Sequence, residues 1–70
     1  MMPLTFAYAG EEHVILKISG KPEIKKHLEN LGFVAGSEVT VMNVIGGNVI
    51  VKVMEARVAI SREMAQRIMV

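Results

Sequence analysis

The stretch Glu38-Val39-Thr40-Val41-Met42-Asn43-Val44-Ile45-Gly46-Gly47-Asn48-Val49-Ile50-Val51-Lys52-Val53-Met54 decides how this chain folds. Two runs rich in β-branched residues are separated by Gly46-Gly47-Asn48. Such side chains are stiff at χ1 and fit a pleated surface, while glycine supplies the positive φ that a short hairpin turn requires. The stretch therefore predicts an antiparallel hairpin. In its second arm Val49, Val51 and Val53 share one face and Ile50, Lys52 and Met54 the other, so the valines are the candidate core face. Lys52, on the opposite face, discourages pairing with a second molecule.

Working outward, the period changes from two to 3.6. From Pro22 to Leu31, Ile24, Leu28 and Leu31 stand at i, i+4 and i+7 and form a helical stripe. Pro22 suits the first turn, Gly32 suits the left-handed residue that ends a helix, and Phe33 follows where it can pack back onto the stripe. Glu23 sits near the positive end, and Lys25 and Glu29 form an i, i+4 pair. Before the helix, His13 to Ile18 reads as one strand with Val14, Leu16 and Ile18 on one face and Ile15 opposite. After the hairpin, Arg57-Val58-Ala59-Ile60 reads as a short strand, Ser61 caps a helical turn through Gln66, and Arg67 to Val70 closes the chain. Glycines at 10, 20, 32, 36, 46 and 47 divide the chain into short segments, as in a small β barrel of five or six strands with one short α-helix. No repeat or linker interrupts it, so residues 1–70 are expected to form one domain.

Composition narrows the function. Seventy residues allow one core and leave little material for a catalytic cleft. Half the positions are hydrophobic and net charge is +1, which excludes disorder. Without cysteine there is no disulfide, thiolate nucleophile or cysteine-bound zinc. The apolar tract from Val39 to Met54 is too short and too punctuated to span a bilayer, so no direct membrane insertion is expected. The amino-terminal residues lack the pattern of a secretory signal, which points to a cytoplasmic location. The chain has no Asp, and its hydroxyls, two histidines and glutamates compose no nucleophile–base–orienter series, so no enzymatic activity is expected. Glu11 and Glu12 are adjacent and point apart in extended backbone. Basic residues at 25, 26, 57, 62 and 67 are offset by the acids, and the three aromatics offer little stacking surface, with Phe6 and Phe33 expected in the core. Nucleic-acid binding is therefore not expected.

What remains is a surplus of apolar surface. Ile50 and Met54 lie opposite the core face, both faces of a thin barrel cannot be buried, and mean hydropathy is +0.40. Core filling is the default role for Met42, Met54, Met64 and Met69. The excess favours docking onto another protein or a homo-oligomer.

The chain also resembles the ferrous-iron transport protein A (FeoA) family. The resemblance rests on Leu4 and Gly10 before a strand ending at Ile18, and on the run from Lys25 to Val39 with its Leu31-Gly32-Phe33-x-x-Gly36 core. Arg57-Val58-Ala59-Ile60 with Ala65 and Ile68-Met69-Val70 completes it. It implies a mainly β, SH3-like barrel in the cytoplasm that acts as an accessory protein of ferrous-iron uptake. Its implied partner is the FeoB-type membrane permease, on the cytoplasmic GTP-binding side. The chain departs from the family pattern at Ala35, where Pro is usual, at the tip Gly46-Gly47-Asn48, and at Glu55, where Gly is frequent. The alternative implied by the same barrel is a regulatory domain like the C-terminal domain of iron-dependent transcriptional repressors.

Two sets of residues are candidates for binding. For a metal, His27 and Glu23 share a helix face one turn apart and His13 with Glu11 or Glu12 could add one ligand from a neighbouring loop, but two donors make a weak site and an exposed helix histidine beside Glu and Lys is ordinarily solvated, so no metal site is assigned. No cofactor is required, and ferrous iron or another divalent transition metal is the candidate ligand. For the partner, the outward helix residues Lys25, Lys26 and Glu29 with the Phe33-Val34 corner are the candidate contact surface.

Overall fold

The computed structural model describes residues 1–70. A 3₁₀ turn at Leu4–Phe6 leads to β1 (Glu12–Val14), β2 (Lys17–Ile18) and helix α1 (Pro22–Asn30). The hairpin strands β3 (Glu38–Ile45) and β4 (Asn48–Val53) follow, then β5 (Ala56–Ser61), a single-turn helix α2 (Arg62–Ala65) and β6 (Ile68–Met69). β1, β3, β4 and β5 form an antiparallel sheet in the order β1-β3-β4-β5, and β2 pairs with β6 in a second, two-stranded sheet. The mainly β barrel with one substantial helix is thus the observed architecture, with α2 a short addition.

The hairpin forms as its residues dictate. Gly46 takes φ +59° at the tip, and Val49, Val51 and Val53 face the core. One detail changes the inner face of β3. Val41 stands opposite Val51, but Asn43 stands opposite Ile50, so Met42 is the extra residue of a β-bulge. The phase shift brings Val44, opposite Val49, to the inner side in place of Asn43.

α1 ends as its sequence requires. The Gly32 amide donates to the Glu29 carbonyl at 3.0 Å and the Phe33 amide to the Leu28 carbonyl at 3.0 Å, the paired bonds of a Schellman cap, with Gly32 at φ +104°. Leu28 is fully buried, with Ile24 and Leu31 packed beside the core. Ser61 caps α2, accepting a hydrogen bond from the Met64 amide at 3.2 Å.

The segment from His13 to Ile18 departs from the single strand expected. Ile15 is buried while Val14 and Leu16 are exposed. The Ile15 amide donates to the Ser37 carbonyl, yet the Leu16 amide donates to the Met69 carbonyl. The chain therefore changes sheets between these two residues, and the alternation slips so that Ile18 is again buried. Phe6 also corrects its expected place in the core. Three residues per 3₁₀ turn put Leu4 and Ala7 on the inner side, leaving Phe6 outside and 71% exposed.

Thirteen buried hydrophobic residues, drawn from both sheets, α1, α2, the 3₁₀ turn and the connections at Ile15 and Phe33, make a continuous core, with no buried charged residue. The methionines stay at its edge. Met64 packs against it, Met42 and Met69 are half-buried and Met54 is exposed. No helix is long and apolar enough to cross a membrane.

Candidate interaction surface

An apolar groove opens between the 3₁₀ turn and the hairpin. Leu4, Thr5 and Ala7 form one wall, Val41, Val44 and Val49 the other, and Arg62 stands at its margin, enclosing about 110 Å³. The bulge at Met42 is what delivers Val44 here. Near the end of the hairpin it has no covering residue, so Val44 is 57% exposed and Ile45 61% exposed. Phe6 alternates in sequence with the wall residues Thr5 and Ala7, and with Tyr8 it is more than 70% exposed. An apolar groove on a chain that also leaves several large apolar side chains exposed is a usual mark of a protein contact. Sequence reading placed the surplus apolar surface on the hairpin but missed Phe6, because the 3₁₀ turn that turns it outward has no signal in a three-residue window.

α1 presents the charges expected of it. Glu23, Lys25, Lys26, His27 and Glu29 are all exposed. No carboxylate lies within 4.0 Å of any Lys or Arg, so Lys25 and Glu29 extend separately into solvent. Val34 is half-buried beside them. Phe33 is the correction at this corner. It is fully buried, because the Schellman cap folds it under the helix onto the core, and it offers no contact surface.

Of the metal-site residues, His13 lies on β1 opposite Val39, with its Nε2 buried and 3.5 Å from Glu11 Oε1. Glu23 and His27 lie on α1. No three His or Glu side chains converge closely enough to hold a metal ion.

A second, polar cleft lies on the outer face of the larger sheet, lined by Glu12, Glu38, Thr40, Lys52 and Glu55. The Glu12 carboxyl beside Glu38 holds the latter's carboxyl above its ordinary pKa, first through a shared hydrogen bond and then through like-charge repulsion. Across this face the register aligns Glu12, Thr40, Lys52 and Arg57, acid at the β1 edge and base at the β5 edge. Met54 and Glu55, the two central residues of the β4–β5 turn, have φ of 50° and 64°, conformations that ordinary residues adopt at a cost.

Comparison with known proteins agrees with the barrel and its sequence pattern. The FeoA domain family matches residues 2–70. A protein of Methanocaldococcus jannaschii with the provisional name Fe(2+) transport protein A is 36% identical over 70 residues, covering 100% of this chain and 85% of that one. FeoA of Stenotrophomonas maltophilia, solved in complex with zinc, superposes with a TM-score of 0.84 at 27% identity. The match covers 99% of this chain and 88% of that one, and its describers call that protein a prokaryotic SH3 domain protein and a candidate ferrous-iron transport activating factor. A manganese-dependent transcriptional repressor shares the fold over 94% of this chain and 38% of its own, with a TM-score of 0.85 at 22% identity.

Proposed function

Because the chain belongs to the FeoA family of ferrous-iron transport accessory proteins, we propose that it works by docking onto the cytoplasmic GTP-binding side of a FeoB-type permease. The docking domain itself does no chemistry, and ferrous iron is the permease's cargo. One observation carries this reading. A domain of 70 residues leaves Phe6, Tyr8, Val44 and Ile45 exposed, with Val44 lining an apolar groove, although the same chain buries thirteen other hydrophobic residues completely enough to form its core. The exposed α1 residues Lys25, Lys26 and Glu29, with Val34, supply charges free of internal partners for steering the encounter.

The test is an NMR titration of the isotope-labelled chain with the permease's GTP-binding domain under anaerobic conditions, set against a titration with ferrous iron. The reading predicts a contiguous shifted surface containing Val44, Ile45 and Phe6. Selective iron effects around His13, Glu23 and His27, with no response to the permease domain, would replace docking by iron carriage or sensing. The barrel shared with the repressor supports the fold and gives the regulatory-domain alternative no separate observation.

A further inference from the structure

β5 is an open sheet edge. It pairs with β4 through six consecutive residues without a bulge or proline, and no backbone hydrogen bond joins its other side to the rest of the molecule. The Arg62 amide donates to the Gly47 carbonyl, which places Arg62 and Gly47 as a hydrogen-bonded pair in the same register. Because such pairs alternate along an antiparallel ladder, Ile60, Val58 and Ala56 face β4 with their backbone groups. Arg57, Ala59 and Ser61 therefore direct their N–H and C=O groups away from the sheet. Natural edges are blunted by shortness, prolines, bulges or charges; β5 has no proline or bulge, and its one charge, Arg57, is exposed and selects against a basic partner rather than against every partner.

The side chains along this edge specify what could pair with it. Lys52 and Arg57 stand directly opposite one another on the exposed sheet face, and neither has a carboxylate within 4.0 Å. Like charges in that position destabilise a sheet unless an anion joins them. Two residues along, Ala59 stands opposite half-buried Ile50, so its small side chain leaves room over an apolar neighbour. At the far end the strand runs into Arg62 at the margin of the apolar groove.

We infer that β5 accepts an extended partner segment as an added strand, one carrying an acidic side chain opposite Arg57 and a large apolar side chain opposite Ala59. The inference rests on the docking reading and gives that partner its chemistry. A second copy fits less well, since pairing β5 with itself would put two Lys52–Arg57 pairs on one continuous face with no carboxylate between them. Backbone bonds supply the affinity of strand addition and alternate side chains its specificity.

The probe is an acetylated, amidated peptide, Thr-Ser-Thr-Ile-Thr-Glu-Thr, with a control in which Lys replaces its Glu. Amide exchange of the labelled chain is followed by NMR. With nine-tenths of the protein bound, exchange at Arg57, Ala59 and Ser61 should slow by about tenfold, while Val58 and Ile60, already bonded to β4, change little. The control peptide should do nothing at the same concentration. Equal effects of both peptides, shifts confined to other surfaces, or concentration-dependent protection of these amides in the protein alone would overturn the inference. The last of these would assign the edge to a second copy.

Two variants link the edge to the permease. Ala59→Pro removes an N–H that faces away from β4, and Arg57→Glu reverses the charge at an exposed site. Both should weaken binding of the permease's GTP-binding domain by tenfold or more while the β4 resonances keep their positions. Wild-type affinity in both folded variants would remove the edge from the interface and leave docking intact. Failure of the wild-type chain to bind the permease domain would defeat docking, with the peptide titration still deciding the edge.

Discussion

Gly32 and Met54 meet where α1 ends and the β4–β5 turn begins, and both have left-handed backbone. Their φ angles are +104° and 50°, and a Cβ placed on Gly32 would stand 3.4 Å from Met54 Cγ. The helix cap and the hairpin turn are thus packed against each other, and each depends on a conformation that most side chains resist.

Gly32→Ala is expected to lower stability by about 1–2 kcal/mol, mainly through its φ, since the new methyl group meets the flexible Met54 side chain and lies at ordinary contact distance from Val53. Urea denaturation measures this, and an unchanged midpoint would contradict it.

At Glu55 the opposite change should help. Its φ of 64° is the geometry that glycine accepts without strain. Glu55→Gly is expected to raise stability by about 0.5–1 kcal/mol once the larger entropy of the unfolded glycine chain is included. Thermal unfolding should show a midpoint higher by a few degrees, and a lower one would show that the Glu55 side chain matters more than its backbone.

Leu28→Ala should cost about 2–5 kcal/mol, because Leu28 is fully buried and ties α1 to the barrel. Much of the stability of a small domain would go with it. Circular dichroism under native conditions should detect partial unfolding, so loss of permease binding in this variant reports folding rather than contact.

Glu38 gives stability a pH dependence of known sign. Its carboxyl is raised above 4.5 in the folded chain by Glu12, so the folded state holds the proton more tightly and ionisation disfavours it. This contribution is favourable below the unfolded pKa and is lost as pH rises through the raised folded one. Glu38→Gln should therefore be more stable than the parent at pH 7, with the difference disappearing below about pH 4. Denaturation at the two pH values checks it, and a difference that grows on acidification would refute it.

Val44 tests the groove. Val44→Asp places a charge where the side chain is already more than half exposed, so the fold should survive. Affinity for the permease's GTP-binding domain should fall about tenfold, as for a residue inside an interface. Calorimetric titration showing equal affinity would move the contact away from the groove.

Much of this was legible in the residues because the signals were local. The β-branched runs around Gly46-Gly47 and the stripe of Ile24, Leu28 and Leu31 ended by Gly32 each encode their element within about ten residues. Ser61 and Pro22 mark helix starts in the same way. The segment His13 to Ile18 is not legible as two strands because its alternation slips where two sheets compete for neighbouring amides, and both acceptors, Ser37 and Met69, lie far along the chain.

The candidate site was less legible. Lys25, Lys26 and Glu29 face solvent as the helical period requires, but Phe33 looked like a corner residue until its cap bonds placed it beneath the helix. Phe6 looked like core until the 3₁₀ turn put Leu4 inside. An aromatic residue is equally suited to core and interface, so composition alone does not assign it.

By itself, then, the sequence determined a single small barrel-forming chain: its hairpin, its helix and both caps, its valine core face and its family pattern, all through propensity and periodicity acting over short spans. Only the tertiary structure decided which apolar residues were left uncovered, that the Met42 bulge would bring Val44 to the groove, and that β5 would be an edge. Those outcomes depend on which distant segments compete for the same core space and the same backbone partners. That competition is settled when the sheets close around the core and is written in no single stretch of residues.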